Sequence, residues 1–578
     1  MALYGIGQSN CPSEAQVPTP QPRDTAGAVQ KKDIENQRER KNRLHPQQEP
    51  ETEVEDEQED TTPQSTQPQT TVTLSSITIE DATLLDPEAL DRVKADYLNR
   101  PLTFDDIEKL TDALSDLYHQ AGYVTSRVYI PPQTIKGGQL TLKAAEGKVG
   151  IITVESGRWF KKRSVLPYVT LDRGEHFNLN KLKRDLRRIN QNPDRNVRAI
   201  LKAGEETGQT DINLKVTDQF PIHLSTNWDN MGRDLIGTNR LGTTATFNNL
   251  LGFGDTGWAT ANFTRRSFGH GEHYEIPVSS HGTSIGSNYY FSNLLLGTIQ
   301  GLENFRITGQ AQTISGYVKQ EWVNTEKYKI AQDVSLNFVD LETSINNATT
   351  RQQVAGGRFN DSIRVLRTGV NIERYGQSSR TFVRPEASLG LDILGGDVAR
   401  KPGGIGSRLG AGSQFLKLSG SAMHTQQLPF LNALGIFRVS GQYTPDSLVS
   451  AEQFQAGGAF TVRGYKEGTL IADKGMVSSV EIRVPLRVFP KDWKLPLAEQ
   501  SLNDALEAVG FIDHGYTMVA NPTPGTNQNQ SILGTGCGLR YHLTKYLVGW
   551  LDLGFPLLLN ASNKQTARLH FGVQSELF

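Results

Sequence analysis

The chain has 578 residues, a formal net charge of −2 and only 37% hydrophobic residues, with a mean hydropathy of −0.44. That length implies roughly two to four folding units, and the near-neutral charge leaves no electrostatic footprint for nucleic acid. A spanning helix is excluded, because no run approaches the ~20 apolar residues it needs, whereas a membrane β-barrel, alternating lipid-facing and lumen-facing side chains, is compatible with so polar an average.

Residues 1–72 are rich in Pro, Gln, Thr, Glu and Arg. Such a composition cannot bury enough apolar surface to offset the entropy of ordering. Met1–Asn10 lacks the basic start and apolar core of an export signal, so for an exported protein the expectation is a mature chain. Within residues 1–44, Arg23–Arg43 consists mostly of helix formers but has no apolar stripe, only Ala26, Ala28, Val29 and Ile34. It reads as a helix in water or in a polar cavity, or as disorder. Lys31–Arg43 carries six bases against three acids, and Glu49–Asp60 carries eight acids and no base. Residues 45–72 therefore read as an acidic flexible linker. Cys11 and Cys537 stand far apart in unlike contexts, so neither a disulfide nor a metal site is expected.

From Thr73 the pattern becomes globular. A strand is predicted at Val72–Ile79 and a helix at Pro87–Leu98. A second helix spans Thr103–Gln120, where Thr103 and Asp106 make a capping-box start and Ile107, Leu110, Leu114, Leu117 and Tyr118 form the apolar stripe. Gly122 marks its end, and strands follow at Thr125–Ile130 and Gln139–Ala145. Residues 73–147 thus read β-α-α-β-β. Residues 148–218 repeat the order: a strand at Val149–Glu155, a helical stretch near Lys161–Tyr168, a helix marked by Leu179, Leu182, Leu186 and Ile189, then strands Asn196–Lys202 and Asp211–Val216. Asp96-Tyr97-Leu98-Asn99-Arg100-Pro101-Leu102 and Ala121-Gly122-Tyr123-Val124-Thr125 carry a resemblance to POTRA domains, two of them in tandem. The alternative is two small α+β binding modules of another kind.

After Pro221 helical patterns almost cease. Runs of about ten residues alternate apolar and polar side chains, the spacing of tilted membrane strands. Examples are Leu241–Phe247, Gly257–Phe263, Val334–Leu341, Ile436–Tyr443, Val477–Val484 and Leu547–Leu553. Roughly sixteen such runs fill residues 219–578, and closure into a barrel is required because lipid cannot satisfy an open sheet edge. A soluble many-stranded β-protein is the alternative. Phe578 ends the chain one residue out of phase with Leu569, Phe571 and Val573, since Gln574 and Glu576 hold the expected positions. A bulge near Ser575 would restore the phase.

One segment, 444–475, is too long for a hairpin turn. It holds Gly457, Gly458, Gly464 and Gly468 around Thr461-Val462-Arg463-Gly464-Tyr465, and a later strand-like run reads Phe511-Ile512-Asp513-His514-Gly515. An arginine on a long loop and an aspartate on a strand form a candidate internal ion pair, with bidentate geometry that sets orientation as well as position. A solvated loop arginine is the bland alternative. Tyr465 and Phe511 read as packing around the pair, and His514 as a bystander. Ser, His and Asp are scattered with no hydrolase elbow, and neither a phosphate loop nor a His/Cys metal spacing is present.

These two motifs resemble the VRGY loop and F-x-D-x-G strand of the BamA-type outer-membrane superfamily. From about Thr71 to Phe578 the likeness is closest to two-partner secretion transporters, the TpsB proteins. The resemblance implies a membrane β-barrel of about 16 antiparallel strands preceded by two POTRA domains and an N-terminal helix plus linker. It implies that loop 444–475 folds into the barrel, that Arg463 meets Asp513 on the inner wall, and that Val462, Gly464, Tyr465, Phe511 and Gly515 support the pair. Residues 23–43 are the counterpart, in position only, of a plug helix. The implied function is outer-membrane transport of a large exoprotein (an adhesin, a haemolysin or a contact-dependent inhibition toxin), bound through its N-terminal secretion domain and passed unfolded to the surface. No enzyme activity, cofactor or metal is implied. The implied partners are that exoprotein, outer-membrane lipid and the barrel assembly machinery, with the transporter a monomer and POTRA domains periplasmic. Candidate client-binding edges are Thr125–Ile130 and Asn196–Lys202. Arg184, Arg187 and Arg188 are either a solvated helix face or a contact for an acidic client. A BamA-like assembly factor and a passive porin are the alternative functions.

Overall fold

The computed structural model describes residues 30–32, 54–56, 71–297, 303–396, 406, 408, 410–490, 493–494, 501–522, 528–544, 546–558 and 567–576. Most of the expected plug helix (23–43), most of the linker (45–72) and Phe578 lie outside them.

The first α+β unit contains strands β2 (Val72–Thr73) and β4 (Pro101–Leu102), which pair with each other, and a three-stranded sheet of β3 (Ser76–Glu80), β6 (Gln139–Ala145) and β5 (Arg127–Tyr129). The strand expected at Val72–Ile79 is thus split in two. Helices Pro87–Ala95 and Phe104–Gln120 cover the sheet. Thr103 and Asp106 close the capping box, with Asp106 Oδ2 accepting from the Thr103 N–H at 2.9 Å. Leu110, Leu114 and Tyr118 are fully buried against Leu140 and Leu142. Glu146 ties this core to the chain before the first helix: its carboxylate accepts from the N–H groups of Thr83 (2.6 Å) and Leu84 (2.9 Å) and from the Tyr118 hydroxyl (3.0 Å). Burial works against its charge, yet these bonds outweigh burial and hold the carboxyl below its ordinary value.

The second unit has strands β7 (Lys148–Glu155), β8 (Arg195–Ala203) and β9 (Gln209–Asp218) under the helix Leu179–Ile189. The stretch near Lys161–Tyr168 forms two 3-10 turns, Lys162–Ser164 and Leu166–Tyr168, because Pro167 has no N–H for a longer ladder. One expectation is overturned here. The β8 edge is occupied: β1 (Val54–Asp56), from the segment read as flexible linker, pairs with it in parallel, Val54 opposite Ala199 and Asp56 opposite Leu201. By contrast, among the described residues β5 has one sheet neighbour, β6.

Sixteen strands then close a barrel. The first nine are β10 (Ile222–Asp229), β11 (Arg240–Phe247), β12 (Thr256–Phe263), β13 (Ser267–Pro277), β14 (Thr283–Leu295), β15 (Phe305–Asn324), β16 (Tyr328–Asn347), β17 (Gln353–Tyr375) and β18 (Ser379–Leu391). Next come β19 (Leu416–Gln427) and β20 (Leu434–Tyr443). The short hairpin of β21 (Phe454–Ala456) and β22 (Leu470–Ala472) stands apart, and β23 (Lys474–Pro485), β24 (Leu506–Met518), β25 (Asn529–Thr544), β26 (Leu547–Pro556) and β27 (Arg568–Glu576) complete the wall. Neighbours are antiparallel throughout, and β27 returns to β10. Alternation sets the faces: Trp228, Leu241, Phe437, Val480, Ile512 and Leu551 are exposed on the outside, where lipid would lie. His514 shares the outward side of Ile512 and lies 3.0 Å from Ser531 Oγ. The pairing of β27 runs unbroken through Ser575 and Glu576, so no bulge lies at Ser575.

The arginines of the second unit's helix are not a free face. Arg188 Nε donates to Glu321 at the end of β15 (2.6 Å) and Nη1 to the Ser280 carbonyl (2.9 Å). Arg187 reaches Asn324 O and Glu326 in the next turn, each at 3.5 Å. Arg184 stays within the unit, on Thr170 Oγ1 (3.3 Å). Arg187 and Arg188, together with Asp194, which meets His223 at 2.7 Å and accepts from Asn248 at 2.8 Å, seat the unit on the barrel rim.

Candidate functional site

Loop 444–473 folds into the lumen, and its β21–β22 hairpin presents Arg463 to the inner wall. Arg463 is the largest fully buried side chain in the described structure. Asp513 Oδ2 accepts from Nε (2.7 Å) and from the backbone N–H of Arg463 (3.0 Å), and Oδ1 accepts from Nη2 (2.9 Å). The pair is bidentate, the strongest geometry available to these groups. The Phe511 ring lies under the guanidinium, 3.4 Å from Cζ to the ring centre.

The site is larger than a pair. Glu481 on β23 accepts from Arg463 Nη1 at 2.7 Å, and Asp552 on β26 lies 3.5 Å from the same nitrogen. Glu481 also faces Arg438 (3.2 Å), Arg483 (2.8 Å) and Arg540 (3.6 Å), while Asp552 takes a second bidentate pair from Arg540 (2.6 and 3.1 Å). Four arginines and three carboxylates from five strands and one loop thus form a single network. Glu481 and Asp552 are absent from the sequence reading. Both follow the alternation that places Asp513 inward, so a charged residue within an apolar strand was the available signal.

Around the tip, Val462 and Tyr465 are fully buried with Ala456, Leu470, Val477 and Ile532. Tyr465 does more than pack: its hydroxyl lies 2.6 Å from Leu558 O and 3.0 Å from Leu533 O, and accepts from the Leu558 N–H. Gly464 adopts φ +94°, and a Cβ there would meet the Phe555–Pro556 backbone at 3.0 Å. Both the left-handed conformation and the close approach demand glycine. Gly515 serves from the wall side, since a Cβ would come within 2.9 Å of Val462.

Two further ionic anchors hold the loop nearer its base. Asp473 binds Arg408 and accepts from the N–H groups of Leu448 and Ala520, both at 2.9 Å. Buried Glu452 binds Lys417 of β19 and Arg367 of β17 (2.5 Å). The described residues of the N-terminal segment meet the same place: Lys31 Nζ donates to the carbonyls of Gln453 (2.7 Å) and Glu452 (3.2 Å), and Gln30 Nε2 donates to Ala311 O of β15 (3.2 Å). Above these, Leu448, Val449 and Ala451 enter an apolar core with Ile307, Phe359 and Ile363 from the inner faces of β15 and β17. The lumen therefore holds a loop fixed at three points and a helical segment touching it. Among the described residues, no His, Cys, Asp and Glu group is arranged to hold a metal ion.

Comparison with known proteins fits this geometry. The family described as haemolysin secretion/activation protein ShlB/FhaC/HecB matches residues 208–541, and the ShlB-type POTRA domain matches residues 72–147. The outer membrane transporter CdiB of Dickeya dadantii is 23% identical over 476 residues, 80% of each chain. The structure of CdiB from Escherichia coli superposes with a TM-score of 0.74 at 21% identity, over 97% of this chain and all of that one. A BamA structure from Haemophilus ducreyi shares the fold more distantly, with a TM-score of 0.53 at 12% identity over 88% of this chain and all of that one. With more than half of its length matched by the family and a closed sixteen-stranded barrel behind a POTRA domain, this chain belongs to the ShlB/FhaC/HecB family, the outer-membrane transporters of two-partner secretion.

Proposed function

We propose that this transporter binds the N-terminal secretion domain of one large exoprotein at its periplasmic POTRA units and passes the chain, unfolded, through the barrel to the cell surface. The observation that carries this reading is the occupied lumen. A loop crosses it, pinned at its tip by Arg463 to Asp513 and Glu481, and Lys31 of the N-terminal segment touches the same loop. A pore for passive diffusion has no use for a blockade built from reversible ion pairs. In a partly wet lumen such pairs can be exchanged for contacts with water or client, so Arg463 acts as a lock and the helix as a plug that leaves on the periplasmic side. The open edge of β5 offers strand addition to the client, and β1 competes for the β8 edge.

The test is secretion of a co-expressed exoprotein by Arg463→Ala. The barrel is expected to assemble and the client to stay inside the cell; normal secretion would remove the lock from the mechanism. A second reading, a barrel-assembly factor, draws on the short seam. Among the described residues, β10 pairs with β27 along Ser225–Asp229, against Ile222–Asp229 with β11. A cysteine cross-link of Thr226 to Ser575 separates the two readings, since transport through the lumen survives it and lateral insertion does not.

A further inference from the structure

Trp258 on β12, His273 on β13, Tyr290 on β14 and Tyr317 on β15 share one side of four neighbouring strands. The register sets Trp258 opposite His273, His273 opposite Asn288, Asn288 opposite Ser315, and Tyr290 opposite Thr313. Thr313 touches Gln30 inside the barrel, whereas Ile285, Ile314 and Val318, of opposite parity, are exposed outward. The four rings therefore face the lumen. His273 stacks on Trp258 (5.6 Å between ring centres, 20°) and on Tyr317 (6.1 Å, 7°), and Trp258 meets Tyr290 at 5.9 Å. They form one continuous ledge, and all four are partly exposed.

Two glycines shape it. A Cβ at Gly271 would come within 2.7 Å of the Tyr290 ring, and one at Gly286 within 2.3 Å of the Tyr317 ring. Rings laid over strand glycines support a sheet by themselves. That accounts for Tyr290 and Tyr317; Trp258 reaches the same Gly271 position only at 3.4 Å, and His273 meets Asn288 Oδ1 at 2.8 Å, contacts that leave their ring faces in the row.

Position supplies the rest. Tyr317 stands four residues before Glu321, or about 13 Å along the strand, and Glu321 is where Arg188 of the second POTRA unit docks. At the other end, Thr313 donates to Gln30 of the plug segment at 3.0 Å. The ledge runs from the POTRA–barrel junction to the plug. Beside it the charges neutralise one another, as Glu275 accepts from the Tyr317 hydroxyl (2.6 Å) and from Lys319 (2.8 Å).

We propose that this ledge is a binding track for the transported chain, an extended polypeptide presenting aromatic and aliphatic side chains as it leaves the POTRA pair. The proposal rests on the transport reading. Stacking on ring faces is weak, tolerant of sequence and repeated along the wall, so it retains a chain without fixing its register.

The full-length protein, reconstituted in lipid vesicles with p-benzoyl-phenylalanine at position 290, is mixed with a biotinylated Gly/Ser peptide bearing interspersed phenylalanines and irradiated. The ledge predicts roughly tenfold more label than from an all-Gly/Ser peptide, the expectation for two ring contacts. Trp258→Ala and Tyr317→Ala should each reduce it in barrels that still show heat-modifiable migration. Equal label from both peptides, absence of label included, overturns the ledge. So does equal label with the probe moved to Ser421 on β19, across the lumen. Those results leave transport standing, because the secretion test of Arg463→Ala decides it separately.

Discussion

Arg463→Ala removes a guanidinium that serves three carboxylates unequally. Glu481 keeps Arg438, Arg483 and Arg540, and Asp552 keeps Arg540. Asp513 is fully buried, and among the described residues Arg463 is its one cationic partner. The variant therefore strands a single charge. Removing one member of a buried pair costs about 3–5 kcal/mol. Here the backbone N–H at position 463 still reaches Asp513, and water can enter the vacated space, so the low end applies, about 3 kcal/mol. At 1.4 kcal/mol per power of ten, the open population of the loop rises roughly a hundredfold. Hydrogen exchange at Gly458 and Gly468, whose N–H groups bond to Val462 O and Gly457 O at 3.1 Å, reads that population directly. Asp513→Asn is the companion variant. It leaves Arg463 on Glu481 and Asp552, so its effect should be clearly smaller. A change below about threefold for Arg463→Ala, or an Asp513→Asn effect as large, refutes the assignment of Asp513 as the stranded partner.

Two further outcomes test other parts of the molecule. Glu55→Pro removes a backbone donor from β1 and should release the β8 edge, raising exchange across Ala199–Leu201 and tightening binding of extended peptides there, with the rest of the unit unchanged. Glu146 is held below its ordinary value in the folded state, so its contribution is present at neutral pH and lost as pH falls below the unfolded carboxylate value of about 4.3. Glu146→Gln should therefore speed exchange at Thr83 and Leu84 at pH 7, and the gap from wild type should close as pH falls through the lowered folded-state value; a gap that persists once the carboxyl is protonated removes the charge from the explanation.

Much of this architecture is legible in the chain itself, because it depends on local periodicity. Alternation with period two marks the barrel strands and states which side chains face inward. Thr103 and Asp106 announce a helix start that the structure reproduces bond for bond. Glycines around Arg463, in a segment too long for a turn, mark the loop, and Asp513 within an apolar run marks an inward acid. What periodicity cannot supply is who stands opposite whom. Glu481 and Asp552 meet Arg463 because strand register and barrel closure bring β23 and β26 to the same height as β24, a relation spread over the whole wall. Likewise, Arg187 and Arg188 look solvated on an isolated helix, and only docking on the rim supplies Glu321 and Glu326. The β8 edge reads as free until residues more than a hundred positions earlier return to fill it. The local code thus determined elements, faces and the loop's chemistry; partners distant in sequence, which exist only once the sheet closes and the units dock, were decided by the tertiary structure.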